Sequence, residues 1–181
     1  MSSAKKQRRM HKCIVVDPDE CTGCEMCESV CSFVHDAEFN QINTRIHRVR
    51  IEPVFNVALA CQKCEDAPCI RACPEKALDK DEEGSIIVDE DKCNGCGFCI
   101  RACDFGVISL HLDNQKALVC DLCENMREEF IDPEVGKPEP QCIELCPREA
   151  ISLKTVEQIG EETRFDAVKR LFGEQISEYE S

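Results

Sequence analysis

The sequence is poor in aromatic residues: its 181 residues include no Trp, one Tyr and eight Phe. The hydrophobic fraction of 43% counts 17 cysteines, and without them it falls to roughly 34%. An ordinary hydrophobic core is therefore short of side chains, and something else must organise the fold. No run of about 18 consecutive apolar residues occurs, which excludes a membrane-spanning helix.

Positive charge is also scarce, because 22 Lys and Arg stand against 36 Asp and Glu and leave a net charge of -14. Nucleic-acid-binding proteins need a basic face, so the composition excludes that class. Residues 1–10 contain Arg8 and Arg9, but no apolar segment follows them, so we expect no secretion signal and a cytoplasmic location. Thiols stay reduced in that compartment, which favours metal binding over disulfides.

Sixteen of the 17 cysteines fall into four closely spaced quartets, and only Cys13 stands alone. Motifs one and three have the spacing C-x2-C-x2-C-x3-C, and motifs two and four are longer variants that end in Cys-Pro. The quartets are Cys21, Cys24, Cys27 and Cys31 (motif one); Cys61, Cys64, Cys69 and Cys73 (motif two); Cys93, Cys96, Cys99 and Cys103 (motif three); and Cys120, Cys123, Cys142 and Cys146 (motif four).

The C-x2-C-x2-C-x3-C spacing is typical of cubane [4Fe-4S] clusters. Three thiolates two residues apart can turn inward around one cluster, and the fourth, at helical spacing, points toward another. Structural zinc is the alternative, but such sites use two separated cysteine pairs rather than three cysteines in one tight loop. We therefore predict four [4Fe-4S] clusters, with the 16 cysteines as iron ligands.

The motifs repeat along the chain, which indicates an internal duplication. Motif three follows motif one with an offset of 72 residues (Cys21 to Cys93), whereas motif four follows motif two by 59 residues at the first cysteine and 73 at the last. The difference corresponds to an insertion at 124–141, which is acidic and contains three prolines. This composition predicts a solvated surface loop.

The segment between motifs two and three indicates how the motifs pair. An acidic, glycine-containing turn precedes the β-branched run Ile86 to Val88, a pattern typical of a hairpin. Motifs two and three are thus predicted to form one dicluster ferredoxin, and motifs one and four a second one around it. The predicted ligand sets are Cys21, Cys24, Cys27 and Cys146; Cys31, Cys120, Cys123 and Cys142; Cys61, Cys64, Cys69 and Cys103; and Cys73, Cys93, Cys96 and Cys99.

These patterns predict an α+β fold of two nested bacterial-type dicluster ferredoxin domains related by internal duplication, with a helical C-terminal tail. The outer half covers 11–60 and 104–154, and the inner half covers 61–103. In the tail, 155–181, apolar residues at near-helical spacing predict one or two amphipathic helices, which either pack back on the domain or dock on a larger subunit.

Three further features have two interpretations each. The segment from Arg45 to Ile51 alternates in polarity and predicts a half-buried strand, whose arginines and His47 either lie near a cluster or, as we favour, face solvent. His35 is interpreted as a structural histidine rather than a residue that tunes a cluster. Cys13 precedes an apolar run and is interpreted as a buried strand residue.

The four quartets resemble those of the four-cluster polyferredoxin subunits of the DMSO reductase iron–sulfur type, over roughly residues 11 to 154. The resemblance implies a subunit that conducts electrons for a modular oxidoreductase. The stretch from Cys21 to His35, followed by Phe39-Asn40 and Thr44-Arg45-Ile46, is similar to small subunits that accompany tungsten enzymes of the aldehyde ferredoxin oxidoreductase family, including those of benzoyl-CoA reductase.

No nucleophile–base pair, phosphate-binding loop or dinucleotide fingerprint occurs in the sequence, so we expect a non-catalytic electron-transfer subunit. It would relay single electrons between a tungsten- or molybdenum-pterin catalytic subunit and a second electron carrier, as in anaerobic metabolism. The alternatives are an electron-transfer subunit of a hydrogenase, CO dehydrogenase or formate hydrogenlyase system, a free-standing polyferredoxin, or a structural zinc module.

Overall fold

Short strands and helices alternate in the computed structural model, which describes residues 11–51, 55–131, 134 and 138–176. The strands are β1 (Lys12–Val16), β2 (Ile46–Ile51), β3 (Phe55–Ala60), β4 (Leu78–Lys80), β5 (Ile86–Val88), β6 (Ser109–Leu110), β7 (Ala117–Leu118) and β8 (Ile151–Thr155). The α-helices are α1 (Met26–Asp36), α2 (Pro68–Arg71), α3 (Phe98–Ala102), α4 (Gln141–Glu144) and α5 (Val156–Ile176). Arg8, Arg9, Pro133 of the insertion and the last tail residues, 177–181, lie outside the described residues.

Each cysteine motif stands between two strands, and the strands pair in a closed order. Successive strands form the antiparallel pairs β2–β3, β4–β5 and β6–β7, and β8 returns to pair with β1. In that last pair Lys12 lies opposite Thr155 and Val16 opposite Ile151. The predicted hairpin between motifs two and three is confirmed as β4–β5, with Leu78 opposite Val88.

The helices pack in two pairs that follow the pairing of the motifs. Helix α1 of motif one packs on α4 of motif four, and α2 of motif two packs on α3 of motif three. Left-handed residues precede three of these helices and turn the cysteine loop into the helix: Glu25 (φ 66), Ala67 (φ 34) and Gly97 (φ 73). Motifs that are distant in sequence are thereby brought side by side.

The core is built from small side chains and thiols. Its largest fully buried side chains are only Ile46, Val34, Thr44 and Ser32. Cys13 is 4% exposed within β1, which confirms its interpretation as a buried strand residue. A core of this kind agrees with the low apolar content of the sequence.

The insertion at 124–141 differs from the predicted solvated loop. Met126 is buried at 5% exposure, and Phe130 packs edge-on against Phe33 of α1 with 5.3 Å between ring centroids. The prediction is wrong for this part of the insertion because Met126 is buried in the core and Phe130 packs on α1, whereas composition alone suggested a polar loop.

The tail forms a single helix, α5, that continues through Gly160 and Gly173. Its main contacts are with β8. The amphipathic pattern predicted from the sequence is wrong, because apolar and charged residues are mixed around the helix and Val156, Phe165 and Leu171 are exposed. Within the described part of the chain, every helix is too short or too polar to cross a membrane.

Candidate metal centres

Four cavities in the fold are each lined by four cysteines. We name them in order: cavity A, about 390 Å³, is lined by Cys21, Cys24, Cys27 and Cys146; cavity B, about 280 Å³, by Cys31, Cys120, Cys123 and Cys142; cavity C, about 350 Å³, by Cys61, Cys64, Cys69 and Cys103; and cavity D, about 280 Å³, by Cys73, Cys93, Cys96 and Cys99. These groupings match the four predicted sets, whereas iron binding by each set stays a prediction.

Each cavity takes three cysteines from one motif and one from its paired motif. The short helices make this exchange possible, as α1 illustrates. Cys27 and Cys31 lie one turn apart on α1, yet Cys27 lines cavity A and Cys31 lines cavity B. Cavities A and B are therefore neighbours along α1, and cavities C and D are linked in the same way by α3, where Cys99 lines D and Cys103 lines C.

Each set of four cysteines surrounds open space. A zinc site holds four sulfurs about 2.3 Å from one centre. Among the described residues, no group of three or more His, Cys, Asp or Glu side chains stands close enough to hold one ion. Four thiols around an open volume fit a larger inorganic group such as a cubane cluster.

Burial makes half of these 16 thiols hard to ionise while no metal is bound. It raises the pKa of Cys27 and Cys123 to about 12 and that of Cys61 and Cys99 to about 11. Iron is bound by thiolates, so loading of the cavities requires proton release, with the iron charge replacing the protons.

Cys31 is the exception among the thiols of cavity B. Its burial alone would raise the pKa, but the imidazole of His35 and the backbone N–H of Arg45 outweigh burial and lower it. The Arg45 N–H lies 3.3 Å from Cys31 Sγ. An N–H group that donates to a ligand sulfur is the kind of contact by which a protein adjusts an iron–sulfur cluster.

His35 joins α1 to the loop of motif four beside cavity B. One ring nitrogen lies 2.8 Å from the Cys31 carbonyl oxygen and the other 3.3 Å from Asp121 Oδ1. Burial alone would lower the pKa of His35, but the interactions with Asp121 and with Cys31 together outweigh it and raise the pKa to about 9. His35 and Asp121 therefore form a buried ion pair, which agrees with the structural role predicted for His35.

The sequence favoured solvent-facing arginines in the segment from Arg45 to Ile51, but two of these arginines line cavities. Arg45 lines cavity B and Arg48 lines cavity A. Arg45 Nη1, Arg48 Nε and His47 Nε2 are buried, and each lacks a hydrogen-bond partner among the described residues. The unsatisfied donors of Arg45 and Arg48 stand at the walls of cavities B and A and fit a group rich in acceptor sulfurs, so the residues present fit [4Fe-4S] clusters.

Three lysines also support the cysteine loops, and sequence reasoning missed all of them. Lys80 Nζ donates to the Cys64 carbonyl at 2.5 Å, and Lys116 Nζ donates to the Cys93 carbonyl at 2.6 Å. Lys63 is buried at 3% exposure. Nothing in their local sequence distinguishes these lysines from surface lysines.

Comparison with known proteins points to one family. Residues 53–157 match the 4Fe-4S dicluster domain model, and residues 14–33 match the 4Fe-4S binding domain model. The polyferredoxin-like subunit of aliphatic sulfonate oxidoreductase from Pyrococcus furiosus is 31% identical, over 89% of this chain and 93% of that protein. The thiosulfate reductase electron transfer subunit PhsB from Salmonella typhi is 29% identical, over 88% of this chain and 83% of that protein.

A similar chain also occurs among solved structures. It belongs to the active-site complex BamBC of benzoyl coenzyme A reductase as isolated, with a TM-score of 0.47 and 25% sequence identity. The similarity covers 93% of this chain and 95% of that one.

Proposed function

Because this chain belongs to the 4Fe-4S dicluster domain family, we propose that it carries four [4Fe-4S] clusters and relays single electrons for a tungsten- or molybdenum-pterin enzyme. Its relatives include a polyferredoxin-like subunit of one oxidoreductase and an electron transfer subunit of another. The chain is accordingly an iron–sulfur electron-transfer subunit, and it is not itself a catalyst.

The observation that carries this proposal is the set of four cavities with four cysteines each. In the proposal, every cavity holds one cluster through its four thiolates, and motifs one and four form an outer half around an inner half of motifs two and three. The packing of α1 on α4 and of α2 on α3 supports the nested halves. Each cluster, when bound, supplies a one-electron redox couple.

The chain's own residues fix the surroundings of the proposed clusters. The cysteine loops are held by lysine amines on backbone carbonyls, and N–H groups of Arg45 and Ala77 each lie 3.3 Å from a ligand sulfur, Cys31 and Cys73 respectively. Rigid ligands limit the reorganisation that accompanies a change of charge. Such hydrogen bonds also favour the more negative state of a cluster.

The partner in this proposal is a larger catalytic subunit with a tungsten or molybdenum pterin, and a second redox carrier completes the relay. Support comes from the relatives, which are subunits of oxidoreductases. We also place the protein in the cytoplasm of an anaerobic cell, since 16 reduced thiols and their clusters need a reducing compartment.

Anaerobic purification of the tagged chain with its partners tests the proposal. We expect about 16 Fe and about 16 acid-labile sulfide per chain, and reductive titration should take up about four electrons. Zinc in place of iron would overturn the cluster assignment. Tungsten or molybdenum in a stoichiometric partner supports the proposed complex, whereas nickel in that partner would assign the chain to a hydrogenase or CO dehydrogenase instead.

A further inference from the structure

Cavity B carries a positive charge that no carboxylate neutralises. Arg45 lines this cavity, its Nη1 is buried without a hydrogen-bond partner, and no carboxylate of the described residues lies within 4.0 Å of its guanidinium. The same cavity contains His35 and Asp121, but these two pair with each other. Asp121 also accepts hydrogen bonds from the N–H groups of Cys123 and Asn125, at 3.0 Å each.

Arg48 is the natural comparison, since it lies three residues further along and lines cavity A. Its Nη2 forms an ion pair with Glu25 at 2.6 Å, and Glu25 lines the same cavity. The other arginine at cavity A, Arg148, pairs with Glu20 at 2.5 Å. Both positive charges of cavity A are thus matched by carboxylates. Cys24 of this cavity is also exposed, whereas all four cysteines of cavity B are buried.

Cavities C and D are each lined by a carboxylate, and the lysines beside their cysteines, Lys80 and Lys116, donate to the backbone carbonyls of Cys64 and Cys93. Asp104 lines cavity C and Glu75 lines cavity D, and no Lys or Arg of the described residues lines either one. The four cavities therefore differ in fixed charge although each contains four cysteines.

Two effects of opposite sign act at cavity B. All four of its cysteines are buried, and burial disfavours the reduced, more negative state of a cluster. Nearby cations favour that state, and the same burial weakens their screening by water and salt. The guanidinium of Arg45, which forms no ion pair among the described residues, decides in favour of the reduced state.

We propose that Arg45 gives the cluster bound in cavity B the highest reduction potential of the four. Arg45 is in this view a positioning residue that sets a potential without contacting substrate. The inference rests on the proposed ligand sets, and it adds an order to clusters that the sequence leaves equivalent.

EPR-monitored redox titration of the loaded protein tests this order. The signal that forms first as the potential is lowered should be the one that Cys123→Ser alters. In Arg45→Gln the reduced-to-oxidised ratio of that cluster at fixed potential should fall at least tenfold, which equals 59 mV for a one-electron couple. Arg45→Lys should restore most of the ratio, and the matched control Arg48→Gln should change it less than threefold.

The outcomes separate this inference from the proposed function. Absence of any reducible signal would overturn the proposed function itself. A first-formed signal that is altered by Cys24→Ser and unaffected by Cys123→Ser would overturn the order alone, as would an unchanged midpoint in Arg45→Gln. If Arg45→Gln does not bind clusters, the order is still tested by whether Cys123→Ser alters the signal that forms first.

Discussion

The exchange of last cysteines between motifs one and four makes a prediction that iron content can test. Cys146 belongs to motif four in sequence but lines cavity A with Cys24 of motif one. Cys123 lines cavity B, with Cys31 as the exchanged partner. One cluster per cavity means that loss of any one cavity should remove about four of about 16 iron atoms per chain.

Single and double serine variants show whether motifs one and four exchange their last cysteines or each motif keeps its own. Cys146→Ser should lose about four iron atoms. Combined with Cys24→Ser it should still lose about four, because both cysteines serve the same cavity, whereas combined with Cys123→Ser it should lose about eight. Cys13→Ser is the matched control, because this buried cysteine lines none of the four cavities and should leave the iron content unchanged.

Native mass spectrometry is the assay, since it counts clusters on each intact chain and separates a mixture of species from a uniform loss. Acid-labile sulfide should fall in parallel with iron. The reasoning is refuted if the Cys146/Cys24 pair loses about eight iron atoms and the Cys146/Cys123 pair about four. That result would mean that motif four keeps its own last cysteine.

Three further predictions follow from the packing. Gly106→Ala (φ 63) places its Cβ where nothing lies within 4 Å, so the left-handed backbone alone should lower the free energy of unfolding by about 1–2 kcal/mol. In Gly95→Ala (φ 71) the Cβ would also lie 2.6 Å from a backbone oxygen, and the loss of stability should be larger. Guanidinium-induced cluster loss compares the two variants, and equal midpoints would contradict the contact at Gly95. Met126→Ala should destabilise by about 2–5 kcal/mol and Glu128→Ala by almost nothing in the same assay, unless the insertion is a free loop. A chain truncated after Thr155 should keep its full iron content, because α5 contacts mainly β8. Chemical iron analysis checks this, and loss of iron would show that the helix supports a cavity.

The groupings of cysteines were within reach of the sequence because they depend on local geometry. Two-residue spacings in a tight loop turn three thiols inward, and a cysteine one helical turn further on lies on the same helix face but about 6 Å along it, beside the next cavity. The hairpin at Ile86–Val88 then fixed which motifs are neighbours. These rules use only short stretches of chain, so tertiary packing did not alter their outcome.

The positions of the charged residues around the cavities could not be predicted from the sequence, because they depend on tertiary packing. Arg45 and Arg48 share one strand-like pattern, and only the packing of β2 on motif one sends them to different cavities and gives one of them a carboxylate partner. Lys63 has no local feature that marks it as buried. The insertion misled the prediction because its many polar residues outnumbered Met126 and Phe130, the two that pack.

The pairing of β8 with β1 has a consequence for the order of assembly during synthesis. Cavities C and D have all of their cysteines once residue 103 has left the ribosome, and their last lining residues, Ile108 and Leu110, follow shortly after. Cavity A waits for Cys146 and cavity B for Cys142, and β1 has no partner until 151–155 follow. Domains generally form from the N-terminal end as the chain emerges. Here the inner pair of cavities should close first, and motif one, although synthesised earliest, should be among the last to receive its metal.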